Sequence, residues 1–227
     1  MQLFRISMLL VTATLAAPAL AGVVTVTGPD APAPFSQVSD AMAWISAHGG
    51  SNAYSVHASA HRYQAFEVVD NATLTWGASP GVIDVGGNLR VRGSAQMLFE
   101  LGGTSNANAP TTGIVDYDTV LVDGGNVNYQ GRLTISLVNG FVPSLGQSFQ
   151  LIAATGSVTW DLATAVLDAP ALGGGLAWQV SVGPSTFGTP AGYGTFTNAL
   201  FVTVVPAPGV AAMLGLAGLV SGRRRRN

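Results

Sequence analysis

The chain has 227 residues, 48% of them hydrophobic and only 9% charged, with 29 glycines and neither cysteine nor lysine; this excludes a disulfide framework and a thiolate metal site. Five of the nine arginines lie near the two ends (Arg5 and Arg223, Arg224, Arg225, Arg226). Residues 22–205 therefore carry Arg62, Arg90, Arg92 and Arg132 against all eleven carboxylates, a formal −7. A body that acidic repels phosphate backbones, which excludes nucleic acid as a partner class, and it attracts cations.

The first segment reads as an export signal. Arg5 supplies the positive region, residues 6–17 the apolar region, and Ala19-Leu20-Ala21 the small-x-small site before Gly22. A mature chain is expected to start near Gly22. The sequence then divides into a signal peptide (1–21), a β-rich secreted domain (22–205) and a C-terminal sorting or anchor segment (206–227). About 185 residues are enough for one domain with a real core.

The body opens on a Val/Thr alternation over 23–27, a short strand. Pro29, Pro32 and Pro34 then force an extended link. Residues 35–48 carry the helix pattern of the body. Ser36 stands at the N-cap, Val38, Ala41, Met42 and Ile45 share a face, Trp44 flanks it, and Gly49-Gly50 stops it. Beyond it, short runs bounded by Gly, Asn or Pro predict strands at 54–58, 65–69, 73–76, 82–85, 88–92, 96–101, 119–122, 126–129, 132–137, 148–153, 177–182 and 199–205.

One pattern returns. Gly86-Gly87-Asn88-Leu89-x-Val91-x-Gly93-x-x-x-Met97-x-Phe99 reappears 38 residues later as Gly124-Gly125-Asn126-Val127-x-Tyr129-x-Gly131-x-x-x-Ile135-x-Leu137. Removing the polar insert at 102–113 leaves a period of about 26 residues, in the range that stacked repeat architectures produce.

The last segment runs Pro206-Ala207-Pro208-Gly209, an uncharged apolar stretch at 210–220, Ser221-Gly222 and four arginines. Two prolines fix φ and remove backbone donors, so no helix or sheet runs through them. The apolar stretch is short of the roughly 20 residues a membrane-spanning helix needs, and the arginines would hold its end on the cytoplasmic side. Proline break, short apolar helix and terminal arginine cluster, in that order, resemble the PEP-CTERM sorting signal. The resemblance implies export by a diderm bacterium, recognition by an exosortase (a membrane transpeptidase), and delivery to the cell surface or extracellular matrix. Ala207 stands where that family's motif carries Glu, a departure that bears on which exosortase reads it.

The body has a resemblance of its own. A strand, a short helix and a ladder of Gly-Asn-punctuated strands is similar to the opening of pectin-lyase-like β-helices. Asp116-Tyr-Asp-Thr-Val-Leu-Val-Asp-Gly124, 131–140 and 145–152 resemble the terminal coils of autotransporter-type passenger regions. The implied fold is all-β: a right-handed parallel β-solenoid (β-helix) with one short N-terminal capping helix, plus a C-terminal hydrophobic helix, with a β-sandwich as the alternative. In the solenoid Leu133, Ile135, Leu137 and, one layer on, Phe149 and Leu151 point inward. The capping helix covers an open sheet end.

Candidate chemistry is sparse. Gly77-Ala-Ser79-Pro-Gly81 matches the nucleophile-elbow string, but strand residues follow it and His48, His57 and His61 all precede it, so it reads as a turn. His57 and His61 have the spacing of two zinc ligands on a helix, yet on a strand they stand some 13 Å apart at ~3.3 Å per residue. Asp116, Asp118 and Asp123 form the densest carboxylate group and a weak calcium candidate. With Arg90, Arg92 or Arg132 the same acids supply the carboxylate–arginine set of a lyase or glycosidase. Trp76, Trp160, Trp178, Tyr129 and Tyr193 are candidates for a sugar-facing platform.

The expectation is an exported, surface-sorted structural or adhesive protein of the envelope or exopolysaccharide matrix, not an enzyme and with no cofactor. Its partners would be the secretion machinery, an exosortase, the membrane before processing, and exopolysaccharide. The alternative is a carbohydrate-active lyase or hydrolase, or a glycan-binding module. An enzyme should gather carboxylates and arginine in a cleft with perturbed pKa values; a structural protein should present smooth Thr/Ser/Asn faces.

Overall fold

The computed structural model of the chain describes residues 22–77, 80–107, 109–110 and 115–208. In order they form β1 (Val24–Thr27), α1 (Val38–His48), β2 (Tyr54–Ala58), β3 (Arg62–Val68), β4 (Ala72–Trp76), β5 (Val82–Val91), β6 (Gln96–Leu101) and β7 (Thr119–Asp123). There follow β8 (Val127–Tyr129), β9 (Arg132–Leu137), β10 (Ser148–Ala154), β11 (Val158–Trp160), β12 (Val166–Asp168), β13 (Leu176–Gly188) and β14 (Phe196–Pro206).

The helix starts one residue later than Ser36 implied. Gln37 is the N-cap, with extended backbone and no side-chain cap bond; its Oε1 instead accepts the Gln64 N–H at 3.2 Å. The expected face is the buried one: Val38, Ala41, Met42 and Ile45. Burying Met42 and Ile45 contributes about 1.5–3 kcal/mol each, as upper estimates. Trp44 stacks on His48 and meets Tyr54 edge-on. The helix packs on β3, β1 and β2.

Two sheets enclose the main core. The first runs β1-β2-β4-β6-β9-β12; the second runs β11-β8-β5-β7-β10-β14-β13, with β3 also on β5. From β2 to β12 the chain passes back and forth between them, and within each sheet these strands lie parallel.

The expected right-handed parallel solenoid is nevertheless not what the chain builds. Both sheets are mixed: β1 pairs antiparallel with β2, and β10, β14 and β13 pair antiparallel in turn. The second sheet also curls, barrel-like, until its outermost strands β11 and β13 touch. The alternative, a β-sandwich, does not describe it either, because one of its two mixed sheets is nearly closed on itself. An alternating apolar pattern fixes which face of a strand is buried but carries no mark of strand direction. The long final hairpin, β13 to β14, reads the same either way. The expected C-terminal hydrophobic helix lies outside the described residues.

Strands β3 and β5 and the links β7–β8 and β10–β11 turn at one level, and small residues line the turn. Β-strand β3 shifts register around Ala65. Gly87 has φ 122°, and a Cβ on it would come 2.9 Å from that of Ala65. Next in the column, a Cβ on Gly125 would collide with the Gly87 backbone, and one on Gly156 with the Gly125 carbonyl. The bend lets β5 pair with β7 before Gly87 and with β8 after it. Amide side chains lace the same corner: Asn88 Oδ1 accepts the Asn126 N–H (2.9 Å), and Asn126 Oδ1 accepts the Ser157 N–H and hydroxyl (2.8 and 2.9 Å).

The returning sequence pattern therefore has a structural basis, though its register slips. Leu89 faces Val127 and Val91 faces Tyr129, as the 38-residue echo requires. Met97 and Phe99, however, face Leu133 and Ile135, two residues short of it. Leu133, Ile135, Phe149 and Leu151 are buried as expected, and Leu137 is half-buried. Phe149 and Leu151 belong to the opposite sheet, across the core from β9.

A second, smaller core lies on the outer face of the second sheet. Val82, Leu121 and Ala153 point away from the main core and are covered by Ala109, Val115, Phe187, Tyr193 and Phe196. Strand β7 is thus buried on both faces, which explains its uninterrupted Thr-Val-Leu-Val.

Candidate functional site

Carboxylates and an arginine do converge, at a place the sequence did not single out. The segment between β13 and β14 straps over the outer core, and its Tyr193 donates a hydrogen bond to Asp84 Oδ2 at 2.6 Å. Arg62 reaches past Gly86 to Asp123 Oδ2 at 2.7 Å and sits 5.7 Å from the centre of the Tyr193 ring. The Gly194 N–H donates to the other Asp123 oxygen at 3.0 Å. Register brings these groups together: Arg62 on β3 is level with Asp84 on β5, and Asp123 on β7 is level with Gly86, two residues on.

The two carboxylates are driven apart in acidity. Burial pushes Asp84 up, outweighing the Tyr193 hydrogen bond and the Arg62 charge that favour its ionised form. Asp123 is also pushed up by burial, but the Arg62 and Gly194 hydrogen bonds outweigh it and hold the group below the ordinary carboxylate range. Such a split marks acid and base partners in many hydrolases. Here, however, three of the four oxygens hold partners, and the fourth, Asp84 Oδ1, is buried with none. A general acid must reach the proton acceptor on its substrate. This network ties a strap down and presents no open carboxylate.

A second cluster centres on Asp118, which is 2% exposed. Its oxygens accept the Gly81 N–H at 2.6 Å and the Glu100 N–H at 2.9 Å. Burial pushes its carboxyl up to about 7, against those two hydrogen bonds. It lies beneath a depression of about 190 Å3 that His57, Thr75 and Glu100 also line. Both oxygens are again committed to backbone, tying the turn after β4 to β6.

The calcium candidate does not assemble. Asp118, just before β7, is buried against that turn, Asp116 Oδ2 accepts the Ser105 N–H at 3.1 Å, and Asp123 is engaged by Arg62. Among the described residues no three His, Asp or Glu side chains group as metal ligands. Arg90 and Arg92 pair with Glu67 and Arg132 with Asp168, so none joins those acids.

The other candidates are placed as follows. His57 is exposed on β2 and shares a hydrogen bond with Thr75 (3.0 Å), whereas His61 lies in the next turn against Tyr63. Gly77 and Gly81 turn β4 into β5, a strand and not a helix; Ser79 lies outside the described residues. Trp76 and Tyr129 are core residues, packed on Phe99 and Trp160. Trp178 is half-buried with its N–H on the Pro170 carbonyl, and Tyr193 belongs to the strap, so the five aromatics form no common platform.

What the fold does present is a polar outer face on the first sheet. One row across it reads Thr27, Ser55, Thr73, Gln96, Arg132, Val166; beside it run Thr25, His57, Thr75 on β1, β2 and β4, and Leu98, Thr134, Asp168 on β6, β9 and β12. Strands lie ~4.8 Å apart and same-face residues ~6.6 Å apart along each strand, so over β1, β2 and β4 hydroxyls recur at regular spacing.

Of the sorting residues, Pro206, Ala207 and Pro208 are described, and both prolines are exposed. Strand β14 ends at Pro206, and the Ala207 N–H donates to the Gly175 carbonyl at 2.7 Å. Gly209, Arg223, Arg224, Arg225 and Arg226 lie outside the described residues, as do Ala19 and Ala21 of the cleavage site; Gly22 beside them is described. No protein-family model matches the sequence, and no curated protein matches it.

Proposed function

We propose that this is an exported, surface-sorted structural or adhesive protein of the cell envelope or extracellular polysaccharide matrix, processed at its C-terminal segment by an exosortase. The observation that carries this reading is the exposure of the motif prolines at the end of β14. The last strand ends at Pro206, and the two motif prolines stand exposed just where the sorting segment begins. A membrane transpeptidase would meet these prolines at the surface and would have to release only the Ala207 N–H from the Gly175 carbonyl and the last pair of β14, Pro206 with Leu176. The hydroxyls that β1, β2 and β4 present on the outer face of the first sheet support a matrix role, since they offer many weak polar contacts.

The test is the intact mass of the native protein from its own host, fraction by fraction. A mass starting near Gly22 and ending near Pro206, in the surface or medium fraction, is expected. Retention of Arg223 to Arg226 in the membrane fraction would leave a plain anchor and end the sorting reading.

A second reading, a carbohydrate-active enzyme, draws on the opposed acidities of Asp84 and Asp123 beside Arg62. It requires the strap to open. Cleavage of host polysaccharide by the purified protein, abolished by Asp123→Asn, is its signature.

A further inference from the structure

We infer that the depression of about 220 Å3 at the C-terminal end of α1 is a binding site for a neutral sugar ring or a polyol of similar size. It is smaller than the roughly 300–1,000 Å3 of sites for drug-sized ligands, which leaves room for one small ring. Ile45 and Val69 give it an apolar floor, and Ser46, Asn52, Asp70 and Arg92 stand around it.

The donor and acceptor arrangement selects the ligand. Asp70 Oδ1 is held by the Ser94 N–H and hydroxyl (3.0 and 2.7 Å), and Arg92 Nη2 by Glu67 (2.8 Å). Asp70 Oδ2 and Arg92 Nη1 remain, 3.9 Å apart. That gap is too long for a direct hydrogen bond. A group that accepts from the guanidinium and donates to the carboxylate satisfies both, and a hydroxyl does so. An anion meets Asp70 and Glu67 as repelling neighbours, and a bare cation meets Arg92. Among the described residues the side chains of Ser46 and Asn52 have no hydrogen-bond partner, and each offers a further contact to a ring hydroxyl.

The walls are preorganised. Asn71, at φ 65°, donates from Nδ2 to the Gly50 carbonyl at 3.2 Å, and Gly50 is itself at φ 52°. The turn after the helix is thereby fixed to the turn between β3 and β4, which lowers the ordering cost of binding. This inference is separate from the sorting reading and needs only the folded body.

The experiment is saturation-transfer NMR and calorimetry on the full chain. The probes are free neutral hexoses, with glucuronate and inorganic phosphate as charged comparators. A neutral hexose is expected to bind with Kd on the order of 1 mM. Ser46→Trp, which fills the mouth from an exposed helix position, should abolish binding. Asn52→Ala should weaken it about fivefold to tenfold, the value of one hydrogen bond. Both positions are exposed, and an unchanged circular dichroism spectrum shows that each variant is folded. Absence of binding by every neutral hexose, or binding indifferent to Ser46→Trp, overturns the site. Preference for glucuronate or phosphate overturns the neutral-ligand assignment.

Discussion

Gly93 and Gly131 occupy equivalent places in the returning sequence pattern, yet alanine at the two positions should have opposite effects. At Gly131 a Cβ would lie against the carbonyl oxygens of Arg92 and Ala95, with Val91 Cγ1 at 2.8 Å. Neither carbonyl can give way cheaply. The Arg92 oxygen accepts from Ala95 N, and the Ala95 oxygen from Arg132 N at 2.8 Å. Relief must therefore come from moving β6 and β9 apart. Overpacking of this kind costs about 1–3 kcal/mol, occasionally more, and rigid backbone on two sides places Gly131→Ala at the upper end, about 3 kcal/mol. At roughly 2–4 °C per kcal/mol for a chain of this size, the Tm should fall by about 6–12 °C. At Gly93 the added methyl meets nothing within 4 Å, and Gly93→Ala should be neutral or stabilise by up to about 1 kcal/mol through the unfolded state. Urea and thermal unfolding of the two variants, followed by circular dichroism, decide the matter. Equal effects at both sites, or a loss below about 1 kcal/mol for Gly131→Ala, would refute the tight approach of these strands.

Three further outcomes follow from polar side chains. Asp118 holds its proton more tightly when folded (about 7) than in the open chain, so the folded state binds more protons between about pH 4 and 7. Its contribution to stability is therefore greatest below the unfolded pKa and is lost as pH rises towards 7, by at most about 4 kcal/mol. Asp84 acts in the same direction. Urea midpoints measured across that window should fall with pH in the native protein and flatten in Asp118→Asn; a native profile already flat would contradict the buried placement. Tyr193→Phe keeps the ring in the outer core but removes the donor to Asp84, a loss of about 1–3 kcal/mol. Amide exchange of residues 188–196 should accelerate, and unchanged protection would show that the hydrogen bond does not hold the strap. Asn126→Ala strips the acceptor from the Ser157 N–H and hydroxyl. Both residues are exposed, so water takes the acceptor's place and about 0.5–1 kcal/mol should be lost, with β11 the first segment to show faster exchange.

Much of the secondary structure was legible because period-two alternation states directly which residues a strand buries. Most of the strands stand where Val, Ile and Thr alternate between Gly, Asn and Pro. Strands β11 and β12, of three residues each, were missed because neither carries the Gly-Gly-Asn lead that marked the equally short β8. Strand β5 was divided in two because Gly86-Gly87 looks like a turn; in place it is the bend at which one strand changes partners. The strap cluster was illegible for a different reason. Arg62, Asp84, Asp123 and Tyr193 span more than half the chain, and only strand register brings them together.

By itself the sequence determined the inward faces of the strands and helix, the absence of thiol chemistry, the acidity of the body, and the composition of its two ends. These follow from local periodicity and from counting, which need no partner. Strand direction, the mixed character of both sheets, the bend along Ala65, Gly87, Gly125 and Gly156, and the different environments of Gly93 and Gly131 were decided only by the tertiary structure. Each depends on which backbone lies ~4.8 Å away, and residues adjacent in space but dozens apart in the chain leave no local pattern to read.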